Sequence, residues 1–247
     1  MPLLITFLLG LFILMGALIA KIAPNHRKVE QVSIAVAFGA LTTLALADLL
    51  PEAQEHLEDA PLMSLVIIAC ILVGIGILRL LDRFIPDHDD ETIMAHHDCS
   101  ESNALHIGIM TTIAVTLHNL IEGMTVYSVS AESLQAGLLV ALGVGLHNVP
   151  MGMIIFATLE RETRGKKAAL MAAAAFSTFV GGLLMNSLWF AIDDFAVGIL
   201  ISLTLGMIAY LVLFELLPHM IHSESKKTAI TGAIIGMAIV LVSVSLE

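Results

Sequence analysis

Apolar residues in this chain run in long stretches, not in the one-faced or alternating patterns of a water-soluble fold. Cutting at the charged and turn-forming clusters leaves eight stretches, at about residues 2–20, 31–50, 61–84, 104–129, 133–158, 166–190, 194–220 and 228–246. Each is close to the ~20 residues that a helix needs to cross the hydrocarbon core of a bilayer. The pattern predicts an all-α integral membrane protein with eight transmembrane helices. No connecting segment is long enough to bury a core of its own, so residues 1–247 read as one transmembrane domain.

Charge then gives the spans a direction. Numbered alternately, the connections on one side receive Lys21, Arg27, Lys28, Arg79, Arg83, Arg161, Arg164, Lys166, Lys167, Lys226 and Lys227, which are all 11 Lys and Arg of the chain. The other side carries Glu52, Glu55, Glu58, Asp59, Glu132, Asp193, Asp194 and Glu247, and no base. The positive-inside rule places both termini on the non-cytoplasmic side. A wrong span count would scramble this sorting, so the sorting supports eight. The apolar start has no basic segment before it and its positive charges follow, which fits an uncleaved first span.

Composition adds little to the class but excludes others. With 58% hydrophobic and 13% charged residues, a soluble domain would precipitate. The net charge of −11 speaks against nucleic acid as a partner and for cations gathering on the acidic face. Cys70 lies within a span and Cys99 in a cytoplasmic connection, so no structural disulfide is expected. The short connections and lack of a targeting segment fit a prokaryotic plasma or inner membrane.

Two repeats organise the chain. Gly39…Asp48-Leu49-Leu50-Pro51 on span 2 recurs 167 residues later as Gly206…Glu215-Leu216-Leu217-Pro218 on span 7. Span 2 leaves the cytoplasm and span 7 enters it. Similar sequence in opposite directions predicts an inverted repeat of spans 1–3 and 6–8 around central spans 4 and 5.

The central pair carries the second repeat. Leu117-His118-Asn119-Leu120-Ile121-Glu122-Gly123-Met124 and Leu146-His147-Asn148-Val149-Pro150-Met151-Gly152-Met153 share Leu, His, Asn, Gly and Met at an offset of 29 residues. His118 and Glu122 are four apart and share a helix face, as do His147 and Met151. Ionisable side chains are costly inside a bilayer and are normally kept there by a function. Imidazole nitrogen with carboxylate oxygen suits zinc, iron, manganese and related divalent ions. A His–Glu hydrogen bond joining two helices is the simpler use of the same pair. Asn119 and Asn148 offer carbonyl oxygens or helix-to-helix glue, and His147 can act as ligand or proton acceptor. Gly123 and Gly152 are expected to let spans 4 and 5 approach closely. Pro150 frees the carbonyl of Leu146 and bends span 5.

With Asp48 near the outer mouth and Glu215 near the inner one, these groups form a polar ladder across the membrane, which reads as a permeation path. Glu52 joins Asp48 at the entrance, and His219 and His222 join Glu215 at the exit. Thr42 and Thr43 on span 2 are further candidates at the depth of the site. The cytoplasmic connection of about residues 85–103 holds His88, His96, His97, Asp98 and Cys99, a set suited to transient metal binding or to a plain acidic linker.

His118-Asn119-x-x-Glu122-Gly123 on span 4 and His147-Asn148-x-Pro150-x-Gly152 on span 5 resemble the signature motifs of the ZIP (Zrt/Irt-like) divalent metal transporters, and within them the prokaryotic GufA-like branch. The resemblance covers the whole chain: eight spans, both ends outside, a His-bearing connection between spans 3 and 4, and the acid-Leu-Leu-Pro endings. It implies transport of zinc, with iron, manganese and cadmium as alternatives, into the cytoplasm by an elevator-type movement of one helix bundle against another. It also implies a homodimer, with the divalent metal as substrate and no cofactor.

Two departures from the family pattern carry consequences. Members of this branch usually have a carboxylate where Met151 stands and a Glu on span 6, where Thr178 or Val180 falls here. By carry-over, a first metal position keeps His118 and Glu122, with Met151 as a thioether ligand or as packing. A second keeps Asn119, Glu122 and Asn148 and lacks two carboxylates. One Glu cannot neutralise two divalent ions in a low-dielectric site, so a single metal is expected.

Two other functional classes share part of this residue pattern. An intramembrane metallohydrolase also uses His and acid ligands around zinc, but needs an activated water and a base, commonly as His-Glu-x-x-His, and no such run exists here. A metal sensor or regulator that kept the fold but lost transport fits the missing carboxylates.

Overall fold

The computed structural model describes residues 1–23, 26–83, 99–159, 162–188, 193–223 and 225–245, without the side chains of residues 26, 27, 30, 99–104, 106, 132 and 136. Among the described residues, eight helices are long and apolar enough to cross a membrane: α1 (Pro2–Ile22), α2 (Gln31–His56), α3 (Met63–Asp82), α4 (Ile107–Ala131), α5 (Gly137–Thr158), α6 (Arg164–Leu188), α7 (Asp194–His222) and α8 (Lys226–Val244). They coincide with the eight apolar stretches of the sequence. His88, His96, His97 and Asp98 lie outside the described residues, as does the side chain of Cys99.

The helices pack as two groups. α1 lies against α5 and α6, and α4 against α5 and α6, so α1, α4, α5 and α6 form one bundle. In the second group α2 pairs with α8 and α3 with α7. α5 bridges the two groups by touching α2 and α8 as well. Exchanging α1 with α6, α2 with α7, α3 with α8 and α4 with α5 turns the α1–α5 pairing into α6–α4, and α2–α8 into α7–α3. That is the inverted repeat read from the two acid-Leu-Leu-Pro segments.

Those segments do not end their helices. α2 widens into a π-helical turn at Ala45–Leu49, and α7 does the same at Leu211–Leu216. Each helix then resumes, with Pro51 and Pro218 in the first turn of Leu50–His56 and Leu217–His222. A wide turn breaks the regular i→i−4 ladder, so the N–H that proline lacks is not missed there. Asp48 and Glu215 therefore sit on equivalent local distortions, and a π turn re-aims the side chains it carries.

Large apolar side chains cover the outside, such as Leu65 and Leu72 on α3 and Leu8 and Leu18 on α1, as a lipid-facing surface requires. Between helices in lipid there is little hydrophobic drive, so close packing supplies the association. The glycines of the central motifs provide it, with different partners from those the sequence leads one to expect. A Cβ on Gly123 would overlap the carbonyl oxygen of Thr178 on α6, and one on Gly152 would overlap that of Ile13 on α1. The close approaches thus hold α4 to α6 and α5 to α1, not α4 to α5. They anchor the two site-bearing helices within their own bundle. Thr178 adds to this by donating its hydroxyl to the carbonyl of Thr6 at 3.0 Å.

Backbone cannot be pushed aside cheaply, so Gly123→Val should destabilise the fold by about 1–3 kcal/mol or more. The apparent melting temperature in detergent should fall by ~5 °C or more. Gly76→Ala, where a Cβ meets nothing, should leave it unchanged. A Gly123→Val protein as stable as the parent would refute the close approach.

Candidate metal site

His118 and Glu122 lie one turn apart on α4, and His147 faces them from α5. His118 Nε2 is 2.7 Å from Glu122 Oε1, and His147 Nε2 is 2.5 Å from the same oxygen. The imidazole rings stand 5.9 Å apart, centre to centre. Asn148 donates its amide to the other oxygen, Oε2, at 3.4 Å. Exposure is 1% for His118, 8% for Glu122 and 0% for His147, so this is a carboxylate in the protein interior enclosed by nitrogen groups.

Several buried polar atoms here lack a hydrogen-bond partner. His118 Nε2, although close to Glu122, does not meet it in hydrogen-bonding geometry, and the carbonyl oxygens Asn119 Oδ1 and Asn148 Oδ1 are buried without a partner. Their amide nitrogens are engaged elsewhere: Asn119 donates to the Ala174 carbonyl on α6 at 3.2 Å, and Asn148 to Glu122. An unpaired buried carbonyl oxygen is costly, and a cation is the natural group to satisfy both at once. The ligand atoms of His118, Glu122 and His147 all lie within 4.8 Å of one another, the only such group among the described residues. In tetrahedral coordination, with metal–ligand bonds of about 2.0–2.2 Å, ligand atoms stand about 3.3 Å apart. Opening the present cluster by less than ~1 Å would reach that spacing.

A cavity of about 290 Å³ leads to this cluster. Asp48, Glu52, Thr125 and Thr204 line it together with His118 and Glu122. Its walls come from the C-terminal parts of α2 and α4 and the N-terminal parts of α5 and α7, so it opens on the face that holds the α2–α3 and α4–α5 connections. Toward the opposite face the same helices close over Met110, Ala114, Ile154 and Ile155, all part of one buried apolar core. The cluster is thus approached from one side only among the described residues.

The remaining sequence candidates are dispersed over the fold. Asp48 and Glu52 line the cavity. Glu215 is half-buried on the π turn of α7, away from the cavity, and His219 Nδ1 meets the Glu215 carbonyl at 3.1 Å, as His222 Nδ1 meets that of Pro218 at 2.8 Å. Met151 is fully buried within the apolar core. The hydroxyls of Thr42 and Thr43 are used within their own helix, donating to the carbonyls of Phe38 and Gly39. On α6, Thr178 spends its hydroxyl on α1, and Val180 is exposed at the outer surface. Sequence reasoning missed Thr125, Thr204 and Ser243. Ser243 meets His147 from α8, and its only sequence signal is a hydroxyl in the apolar run Val240–Val244.

The profile of the ZIP zinc transporter family matches residues 86–243. That stretch includes both central motifs and the second acid-Leu-Leu-Pro segment. The chain belongs to the ZIP family. Similar full-length relatives are zinc transporters named ZupT. One from Chlorobium luteolum is 31% identical, with 99% of this chain and 97% of the relative aligned. One from Streptococcus mutans is 29% identical over 98% and 96%, and one from Clostridium perfringens is 26% identical over 100% and 95%. Membership in the family agrees with an eight-span protein whose central helices carry a buried His/Glu/His cluster.

Glu122 is the one carboxylate in that cluster. Glu122→Gln keeps the shape and removes the charge, and should weaken zinc binding to purified protein by at least about a hundredfold in a competition titration. Unchanged affinity would remove the cluster from consideration as the metal site.

Proposed function

We propose that this chain carries divalent transition-metal ions, zinc first among them, across the membrane toward the cytoplasm. The observation that carries the reading is the convergence of His118 Nε2 and His147 Nε2 on one buried carboxylate oxygen of Glu122 at the foot of an acid-lined cavity. That the relatives are zinc transporters supports the same substrate. They are transporters, and the chain has no His-Glu-x-x-His run, so we read it as a transporter and not as an enzyme. The metal is cargo here, with no resident cofactor.

His118, Glu122 and His147 hold the ion, with Asn119 and Asn148 turning their carbonyl oxygens to it. Asp48 and Glu52 draw cations into the cavity, and Glu215 with His219 receives them on the opposite side. Lys and Arg sort to the face away from the cavity, which by the positive-inside rule is the cytoplasm of a cell membrane, with both termini outside. The cavity then opens outward. Transport follows by displacing the α1/α4/α5/α6 bundle along the α2/α3/α7/α8 bundle, which closes the outer path and exposes the cluster within. The protein works as a homodimer, the second group of each copy serving as the fixed part.

The decisive experiment is uptake into proteoliposomes, comparing zinc, iron(II), manganese and cadmium for the wild type and Glu122→Ala. Saturable zinc flux that the mutant loses is expected. Zinc binding without any flux in the wild type would turn the reading to that of a sensor. Because only one carboxylate serves the cluster, equilibrated protein should bind one zinc per chain. Crystals with two well-occupied ions about 4 Å apart would contradict this.

The cavity acids act through their charge at a distance and not as ligands. Asp48→Asn with Glu52→Gln should raise the half-saturating zinc concentration several-fold at low salt, and by less at 0.5 M salt, where charges are screened within a few ångströms. Equal effects at both salt concentrations would assign these acids a contact role.

A further inference from the structure

His147 is held on its far side by a helix of the other bundle. Its Nδ1 lies 3.2 Å from Ser243 Oγ, and the Ser243 hydroxyl donates to the carbonyl of Gly143, one turn before His147 on α5. A serine hydroxyl has a single proton. Committed to a carbonyl, which can only accept, that proton is not available to the ring. Ser243 therefore meets the imidazole as an acceptor, and Nδ1 must carry the hydrogen. On the other side of the ring Nε2 donates to Glu122 Oε1 at 2.5 Å. With Nδ1–H fixed by Ser243, the hydrogen on Nε2 is the one a metal ion would displace, leaving the lone pair on that nitrogen. A ligating histidine is usually oriented in this way, by an acceptor on the nitrogen that does not bind the metal.

The position of Ser243 gives this bond a second meaning. It lies in the last turn of α8, which packs on α2 and α5, whereas Gly143 and His147 both lie on α5. Ser243 and His147 are each 0% exposed, so water does not offer the ring a substitute acceptor. The hydrogen bond thus spans the boundary between the two bundles.

We propose that Ser243 is a positioning residue for transport. It holds His147 in the metal-ligating tautomer while α5 is docked on α8, and displacement of the α1/α4/α5/α6 bundle removes it and loosens the grip on the ion. The inference rests on the metal site and bundle movement proposed above. It makes affinity depend on conformation: tight where the cluster faces the outer cavity, weaker once the bundle has moved.

The test compares wild type, Ser243→Ala and His147→Ala as purified full chains. Zinc affinity is read by competition, cobalt(II) loading by its visible absorption, and uptake by proteoliposome flux. Ser243→Ala should lower zinc affinity by about 10–100-fold and shift the cobalt(II) bands. In flux it should raise KM by a similar factor without lowering the maximal rate, because release is eased; a packing defect would lower the maximal rate instead. Wild-type affinity and spectrum in Ser243→Ala would overturn the proposal, as would a reduced maximal rate with unchanged KM. Nitrogen-15 NMR of the His147 ring in the wild type gives a readout that needs no variant: hydrogen on Nδ1 is expected, and its absence overturns the proposal. If His147→Ala itself binds zinc normally, the metal-site reading fails, and not this one alone.

Discussion

A carboxylate buried among membrane-spanning helices is the constraint to which the rest of this architecture answers. Unit charges about 4 Å apart interact by about 1 kcal/mol in water but about 4 kcal/mol at an effective dielectric of 20, so Glu122 cannot be left without partners. The His147 imidazole and the Asn148 amide hydrogen-bond to it, and the His118 imidazole lies 2.7 Å from one of its oxygens. Those partners come from both α4 and α5, so the two helices must be held at a fixed separation. The small residues do this indirectly: Gly123 lets α4 seat on α6, and Gly152 lets α5 seat on α1, which makes one block of the four helices that carry the site.

The block is locked within itself and more loosely tied to its surroundings. Backbone-to-backbone approaches at Gly123 and Gly152 leave no room for sliding inside the bundle. The second group has close approaches of its own: a Cβ on Gly39 of α2 would overlap the Ala233 carbonyl on α8, and one on Gly74 of α3 that of Leu203 on α7. Glycine seams inside each group, with the site at the boundary between them, suit two bodies that move past one another. The inverted repeat gives such a movement two related end points, because exchanging the repeats maps each group onto itself.

The sequence made the spans, their order and the inverted repeat legible for a simple reason. Crossing a bilayer demands ~20 apolar residues per helix, and a polar group that survives such a filter stands out. His118, Glu122 and His147 were visible for that reason, and the structure brings all three together. What stayed hidden depends on helix-to-helix registry. The partners of Gly123 and Gly152 follow from which helix lies behind each one. A lone Ser243 in an apolar helix looks like any other serine until His147 is seen beside it. The π turns were half legible: the acid-Leu-Leu-Pro repeat marked the place, but a proline after a carboxylate reads more naturally as a helix end than as a widened turn that continues.

One carboxylate against a divalent ion leaves the occupied cluster one positive charge in excess, and this deficit gives the outlying acids a task. Asp48 lines the cavity beside the cluster, on the π turn of α2, a helix of the other group. It can offset the excess only while the two groups keep their present registry. The repeat sets Glu215 on the matching turn of α7, also in that group. Moving the ion-bearing bundle from one end point to the other would carry the excess charge out of the field of the first acid and into that of the second. An ion compensated fully by its own ligands would gain nothing from either acid. An ion compensated only in part is held by the whole arrangement and not by the cluster alone. On this argument the sparse ligand set is what makes its affinity responsive to the position of the bundle.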